Sequence, residues 1–408
     1  MRSRRAILIE GGSALSLAAN LTLTANPARA AIQPPDFPFP GGNGQRPLTK
    51  DFPQKGTMVL QRSRPPLLET PFADFDQDAF TPNDKFFVRW HWSDIPTDID
   101  AKSYRLAVRG QVEHELSLSL PDLLQFKPVE IAAVNQCSGN SRGFFEPRVP
   151  GAQWGNGAMG NARWTGVRLK DVLDKAGLKA GAVAVRFSGL DKPPVDDAPP
   201  FKKSLGIDHA CQPEILIAYA MNGRALPLLN GYPLRLVVPG WYSTYWIKML
   251  SDIEVLDAPD DNYWMKTAYL IPDTPRADIK PGQAGVAMVP INRMSPRSFV
   301  TNLAAGTRLK AGARAKLRGL AMGGDSGVAR VDVSADGGQN WQAAKLGRDE
   351  GPYSFRQWTA ELVMGGAGEA SLAVRCANIG GEVQPDVSNW NPSGFMRNVI
   401  ERTPVTLV

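Results

Sequence analysis

The chain has 408 residues, is 43% apolar and 21% charged, and carries a formal net charge of +6. That length and composition fit two or three globular domains with real cores and exclude a wholly disordered chain. The three cysteines (Cys137, Cys211, Cys376) and three histidines (His91, His114, His209) stand far apart, which excludes a disulfide scaffold, covalent c-type haem, a four-cysteine iron–sulfur cluster and a zinc knuckle, and disfavours a catalytic zinc.

Residues 1–30 read as an address. Ser3-Arg4-Arg5 is a twin-arginine pattern, an apolar stretch runs to Leu23, and Ala28-Arg29-Ala30 offers a cleavage site. This pattern predicts a bacterial export signal of the route that carries folded, cofactor-loaded proteins, and hence a periplasmic product. The segment carries four arginines against Glu10, so its removal leaves only a weak basic balance. No basic run with interleaved aromatics points to nucleic acid, and no further stretch has membrane-spanning length. Residues 31–66, rich in Pro and Gly, predict an extended N-terminal arm.

Residues 67–280 mix strands and short helices. Alternation predicts a strand over 103–112, and Ser119-Leu120-Pro121-Asp122 a capped helix start. A strand over 129–134 runs into Asn135-Gln136-Cys137. An amphipathic helix over 168–176 ends at Gly177, and further strands fall at 182–187, 215–221, 234–238 and 253–256. The pattern is α+β, without the regular alternation of a doubly wound sheet, and it contains neither a dinucleotide fingerprint nor a P-loop. From about 281 to 408 helical periods vanish and short strands recur between turns such as Asp336-Gly337-Gly338, which predicts an immunoglobulin-like β-sandwich.

Three clusters carry chemistry. Cys137 ends a strand, with polar neighbours and Arg142 five residues on; such surroundings favour a thiolate ligand or nucleophile over a plain core cysteine. In Phe86-Phe87-Val88-Arg89-Trp90-His91-Trp92, strand geometry puts Arg89 and His91 on one face, a plausible anion site, and the tryptophans on the other. Around Asn230–Lys248, Arg235, hydroxyls including Ser243, and Lys248 converge on one loop and suit a phosphate. The ordinary readings are a solvated edge strand for the second cluster and a strand–turn–strand for the third.

Taken together, and in order over about 70 to 405, these pieces resemble the sulfite oxidase family of molybdenum enzymes. Further matching pieces are Trp154, Gly160-Asn161-Ala162-Arg163-Trp164-Thr165-Gly166-Val167, Tyr219-Ala220-Met221-Asn222-Gly223, Gly231-Tyr232-Pro233-Leu234-Arg235, Ser334-Ala335-Asp336-Gly337-Gly338-Gln339-Asn340-Trp341 and Trp390-Asn391-Pro392-Ser393-Gly394. Within the family the likeness runs to catalytic subunits of periplasmic sulfite dehydrogenases that pass electrons to cytochrome c.

The resemblance implies oxidation of sulfite to sulfate by oxygen-atom transfer at a Mo-molybdopterin centre, with Cys137 the single protein ligand to the metal. It places Phe87, Val88, Arg89, Trp90 and His91 along the cofactor, Asp191 on the pterin, and Asn230, Arg235, Ser243, Trp246, Ile247 and Lys248 at its phosphate and pterin end. It makes Arg89 and Arg142 the sulfite-binding arginines, Trp154 a pocket wall and Tyr269 the tyrosine beside the metal. Asn230 replaces the family's common histidine, and Gln339 stands where animal members carry an arginine expected near the pocket. No haem motif is present, so the acceptor is expected to be a separate c-type cytochrome, as a subunit or a visitor. The second domain could instead support a homodimer. A sulfoxide reductase of the same fold and a non-catalytic periplasmic binding module are the competing readings.

Overall fold

The computed structural model describes residues 34–408, which form one compact unit; the expected export segment over 1–30 lies outside them. The architecture is mostly β. Four short α-helices occur among the described residues, the longest being Leu169–Ala176, so the helical share is smaller than an α+β reading implies. The capped start at Ser119 yields only Leu120–Leu123. Leu169, Val172, Leu173 and Ala176 bury one stripe of the longest helix, which ends where Gly177 takes φ +72°, a conformation that costs glycine little.

Two larger sheets frame the core of the first half. One has the strand order Lys202–Gly206, Ala184–Gly189, Leu250–Leu256, Leu106–Gly110, Leu116–Leu118. The other has the order Arg224–Ala225, Leu216–Met221, Met159–Arg168, Val129–Gln136, with Arg235–Val237 branching from Leu216–Met221. Their shared core is aromatic. Trp164 lies edge-on to Phe86 and Trp246, with ring centroids 5.6 and 5.5 Å away, and its indole N–H donates to the Ala133 carbonyl at 2.9 Å. Buried tryptophan thus keeps its polar atom satisfied.

The stretch expected as a loose arm is more integrated than its composition indicates. Leu48–Thr49 and Met58–Arg62 join Leu67–Glu69 and Val88–Arg89 in a four-stranded sheet. Pro and Gly set the turns, and the short strands pair in series, Leu48 with Val59, Val59 with Glu69 and Leu67 with Arg89, which a composition rich in Pro and Gly does not reveal.

In the second half, Arg297–Val300, Arg314–Met322, Arg356–Val363 and Lys345–Leu346 form one sheet. Thr307–Leu309, Glu401–Leu407, Gly368–Asn378, Val328–Ser334 and Gln342–Ala343 form another. Leu317, Val331, Trp358, Leu372, Val374 and Val405 from both sheets share one core. Cys376 sits there as a small apolar residue, its thiol pushed up to about 12 by burial. Cys137, Cys211 and Cys376 are all free. The halves are tied together: the Val134 amide donates to the Tyr353 carbonyl at 2.8 Å, and Asn161 Nδ2 to Ser354 Oγ at 2.8 Å.

Candidate active site

A small cavity opens in the first half, lined by Phe87, Arg89, His91, Cys137, Lys248 and Tyr269 among others. Cys137 reaches it from the end of Val129–Gln136, just before a tight loop in which the Arg142 amide donates to the Gly139 carbonyl at 3.0 Å. Glycine at 139 leaves room for Arg142, since a β-carbon there would lie 2.5 Å from its guanidinium and push it from its place. Cys137 itself is buried.

The second cluster keeps the expected alternation over 87–91 although only Val88–Arg89 is a strand; Trp92 departs from it, packing on Trp264 as His91 does and not beside Trp90. Phe87, Arg89 and His91 line the cavity. Val88 and Trp90 do not; they pack beneath it with Met58, Leu68, Leu229 and Met249. Trp90 still serves the site, since Lys248 Nζ lies 4.4 Å over its ring, a cation–π support. His91 Nε2 is 2.5 Å from the Tyr269 hydroxyl, and its ring stacks on Phe201. Burial, then Arg89, Lys248 and Lys203, hold the His91 imidazole well below its ordinary range, so it is neutral. Burial raises the Tyr269 hydroxyl, so it keeps its proton.

Asn230, Arg235, Ser243, Trp246 and Lys248 line the opposite wall. Ile247 does not line it but donates structure, its carbonyl accepting from the Leu236 amide at 2.8 Å. Arg235 is 3% exposed and lies between the Trp164 and Trp246 rings, with burial lowering it to about 9. Lys248 is lowered to about 7, by burial first and by Arg235 second. Asp191 is buried just outside the cavity wall; burial raises its carboxyl, against the pull of Lys248 and Arg89.

Three expected contacts fall elsewhere. Arg142 does not line the cavity. Its guanidinium donates to the carbonyls of Gly394 (3.1 Å), Ala152 (3.3 Å) and Ser393 (3.5 Å), because a buried arginine facing three carbonyls satisfies its fork there. Trp154 is fully buried behind the same loop. Gln339 is exposed in a turn organised by the Asp336 carboxylate, which accepts from the amides of Gln339 and Asn340. The second domain reaches the site through 393–396 instead. Phe395 stacks on Tyr269 with ring centroids 5.2 Å apart, and the Met396 amide donates to the Ser138 carbonyl at 2.9 Å.

Sequence reasoning missed Lys55, Phe201, Lys203 and Phe395. Lys203 is wholly buried, donates to the Trp264 carbonyl at 2.7 Å and lies 4.6 Å from the Tyr245 ring centroid. It adjoins Lys202 in the chain, and only the register of its strand tells the two apart.

No carboxylate lines the cavity, whereas Arg89, Arg235 and Lys248 do. Several buried polar atoms there lack any partner: Arg89 Nη1, Arg235 Nε, His91 Nδ1, Asn135 Nδ2 and Thr244 Oγ1. Buried cations that outnumber the one nearby carboxylate, Asp191, together with idle donors, mark a site made for a polyanion. Among the described residues no group of three His, Cys, Asp or Glu could hold a metal. A metal here would rest on Cys137 and on ligands the protein does not supply.

Comparison with known proteins gives this arrangement its class. Residues 92–264 match the oxidoreductase molybdopterin binding domain and residues 288–407 the Mo-co oxidoreductase dimerisation domain. The chain is 33% identical to mitochondrial sulfite oxidase of Homo sapiens, over 92% of this chain and 70% of that protein. It is 26% identical to sulfite oxidase of Arabidopsis thaliana, over 90% of this chain and 99% of that one. It also superposes on the sulfane dehydrogenase SoxCD from Paracoccus pantotrophus with a TM-score of 0.71 and 26% identity, covering 84% of each chain. The chain belongs to the sulfite oxidase family and is a molybdopterin oxidoreductase of that type. The implied cofactor is Mo-molybdopterin, and a lone buried cysteine among unpaired cations fits it.

Proposed function

We propose that this protein oxidises sulfite to sulfate and passes the electrons singly to a c-type cytochrome in the periplasm, after export through the twin-arginine signal. The carrying observation is the carboxylate-free, cation-lined cavity around one buried cysteine. When bound, the molybdenum–pterin group supplies the oxygen-atom transfer and stores the two electrons.

Cys137 would be the only protein ligand to the metal. Arg235 and Lys248 would neutralise the anionic end of the pterin, with Asn230 and Ser243 adding hydrogen bonds. Arg89, which lines the cavity with an idle Nη1 donor, would hold the substrate oxyanion. His91 and Tyr269, 2.5 Å apart with the proton kept by the tyrosine, would orient and polarise groups beside them. Arg142 acts one layer out in this reading, holding the 393–396 segment and, through Phe395, the Tyr269 ring. Residues 281–408 serve as an immunoglobulin-like dimerisation domain, following 67–280 as the catalytic domain.

The test is molybdenum content together with sulfite-dependent cytochrome c reduction. Cys137→Ser should remove both, and full activity in that variant would sink the assignment. The likeness to a sulfane dehydrogenase, and the absence of Arg142 from the cavity wall, favour a second substrate class, sulfane sulfur. Parallel assays with sulfite and a persulfide substrate separate the two.

A further inference from the structure

Lys55 lies outside the stretch matched to the molybdopterin domain, in the segment before Met58–Arg62. Its side chain is nevertheless buried against the back of the cavity wall. The ammonium has three donors and no acceptor, and all three are used. They go to the Asn83 carbonyl at 2.8 Å, the Phe86 carbonyl at 2.9 Å and, in a short contact, Asn230 Oδ1. On its other side Asn230 Nδ2 donates to the Phe87 carbonyl at 3.1 Å.

These two neighbours fix the orientation of the amide. Turned over, it would set an NH₂ against an ammonium and a carbonyl oxygen against a carbonyl oxygen, losing both hydrogen bonds and adding repulsion. With Oδ1 held by Lys55 and one N–H held by Phe87, one group remains free on the cavity-lining side chain: the second N–H of Nδ2. The Asn230 backbone carbonyl accepts from Arg235 Nη1 at 3.0 Å, so the same residue also aims the neighbouring guanidinium.

We propose that Lys55 is a positioning residue for the cofactor site: it holds Asn230 as a hydrogen-bond donor toward the anionic end of the pterin, a role an unconstrained amide would perform only part of the time. The proposal rests on the reading of the cavity as the molybdopterin site. Burial also lowers Lys55 to about 7, so the ammonium remains charged over the acidic side of neutrality.

A mere tether for the N-terminal segment would act on folding and not through Asn230, and a double-mutant cycle distinguishes the two. Wild type, Lys55→Met, Asn230→Ala and the double variant are purified as holoenzyme, and the rate of molybdenum loss on dialysis is followed by elemental analysis beside the melting temperature. Lys55→Met should speed molybdenum loss by about tenfold, as expected for one hydrogen bond to a charged group. In the Asn230→Ala background the same change should add less than about twofold if the two residues act as a unit. Equal acceleration in both backgrounds, or none in either, overturns the proposal. Asn230→Asp provides a second arm. Its carboxylate still accepts from Lys55 but offers no donor to the cavity or to the Phe87 carbonyl, so it should lose molybdenum faster than wild type; unchanged retention there also overturns it. Wild-type protein that holds no molybdenum would instead refute the cofactor reading itself.

Discussion

Lys248→Met should stabilise the cofactor-free protein and weaken the loaded one. Lys248 projects into the cavity over Trp90, where burial and Arg235 lower it from the ordinary 10.5 to about 7. The unfolded chain keeps that proton up to its ordinary value. Below about pH 7 the folded state therefore bears the full cost of a poorly solvated ammonium, and the cost fades as pH rises toward 10.5. At 1.36 kcal/mol per pH unit the ceiling is about 5 kcal/mol. The attraction of Asp191 is already part of that shift, and water entering the open cavity reduces the effect further, to on the order of 2 kcal/mol. Methionine keeps the contact with Trp90. Removing the charge should thus raise the melting temperature of molybdenum-free protein by roughly 5 °C near pH 6.5, with the gain gone near pH 10. The same variant, purified with cofactor, should retain less molybdenum because a cation facing the pterin is missing. Calorimetry across that pH range, with elemental analysis of both proteins, checks the two arms. A variant that melts lower without cofactor, or whose gain does not depend on pH, would refute the argument that this cavity carries uncompensated charge.

Two further outcomes follow from the surrounding structure. Gly394 has φ +63°, and a β-carbon there would meet Val149 Cγ2 at 2.5 Å and Arg142 Nε at 2.8 Å; Gly394→Ala should displace the 393–396 segment, lowering sulfite turnover several-fold while molybdenum content, measured in parallel, stays near wild type. Asp260 takes paired donors from Arg186 at 2.8 and 2.9 Å and is held far below the usual carboxylate range despite its burial. Its folded-state pKa is depressed, so its contribution is present above the ordinary carboxylate pKa and lost as pH falls below it. Asp260→Ala should cost about 3 kcal/mol at neutral pH and flatten the acid limb of the stability profile, as read from denaturant melts.

Much of the site was legible because its chemistry is local in sequence. Cys137 at a strand end, the alternation that sends Arg89 and His91 to one face, and the Arg235–Lys248 loop are short patterns whose physics is set by backbone periodicity. The amphipathic stripe at 169–176 and its glycine stop were readable for the same reason. The residues that escaped are those whose role depends on what lies opposite. Lys55 and Lys203 look like any surface lysine until tertiary packing buries them, and Phe395 belongs to the site only because the second domain packs its 393–396 segment on Tyr269. Arg142 shows the converse: its proximity to Cys137 is written in the chain, yet three carbonyls brought together by the fold decide where its guanidinium goes. The count of three cysteines and three histidines by itself left a thiolate- or imidazole-bound metal few protein ligands. Which cations and donors surround that metal, and which of them are left without partners, is a property of long-range packing, because burial and the loss of water that give those charges their strength exist only in the folded chain.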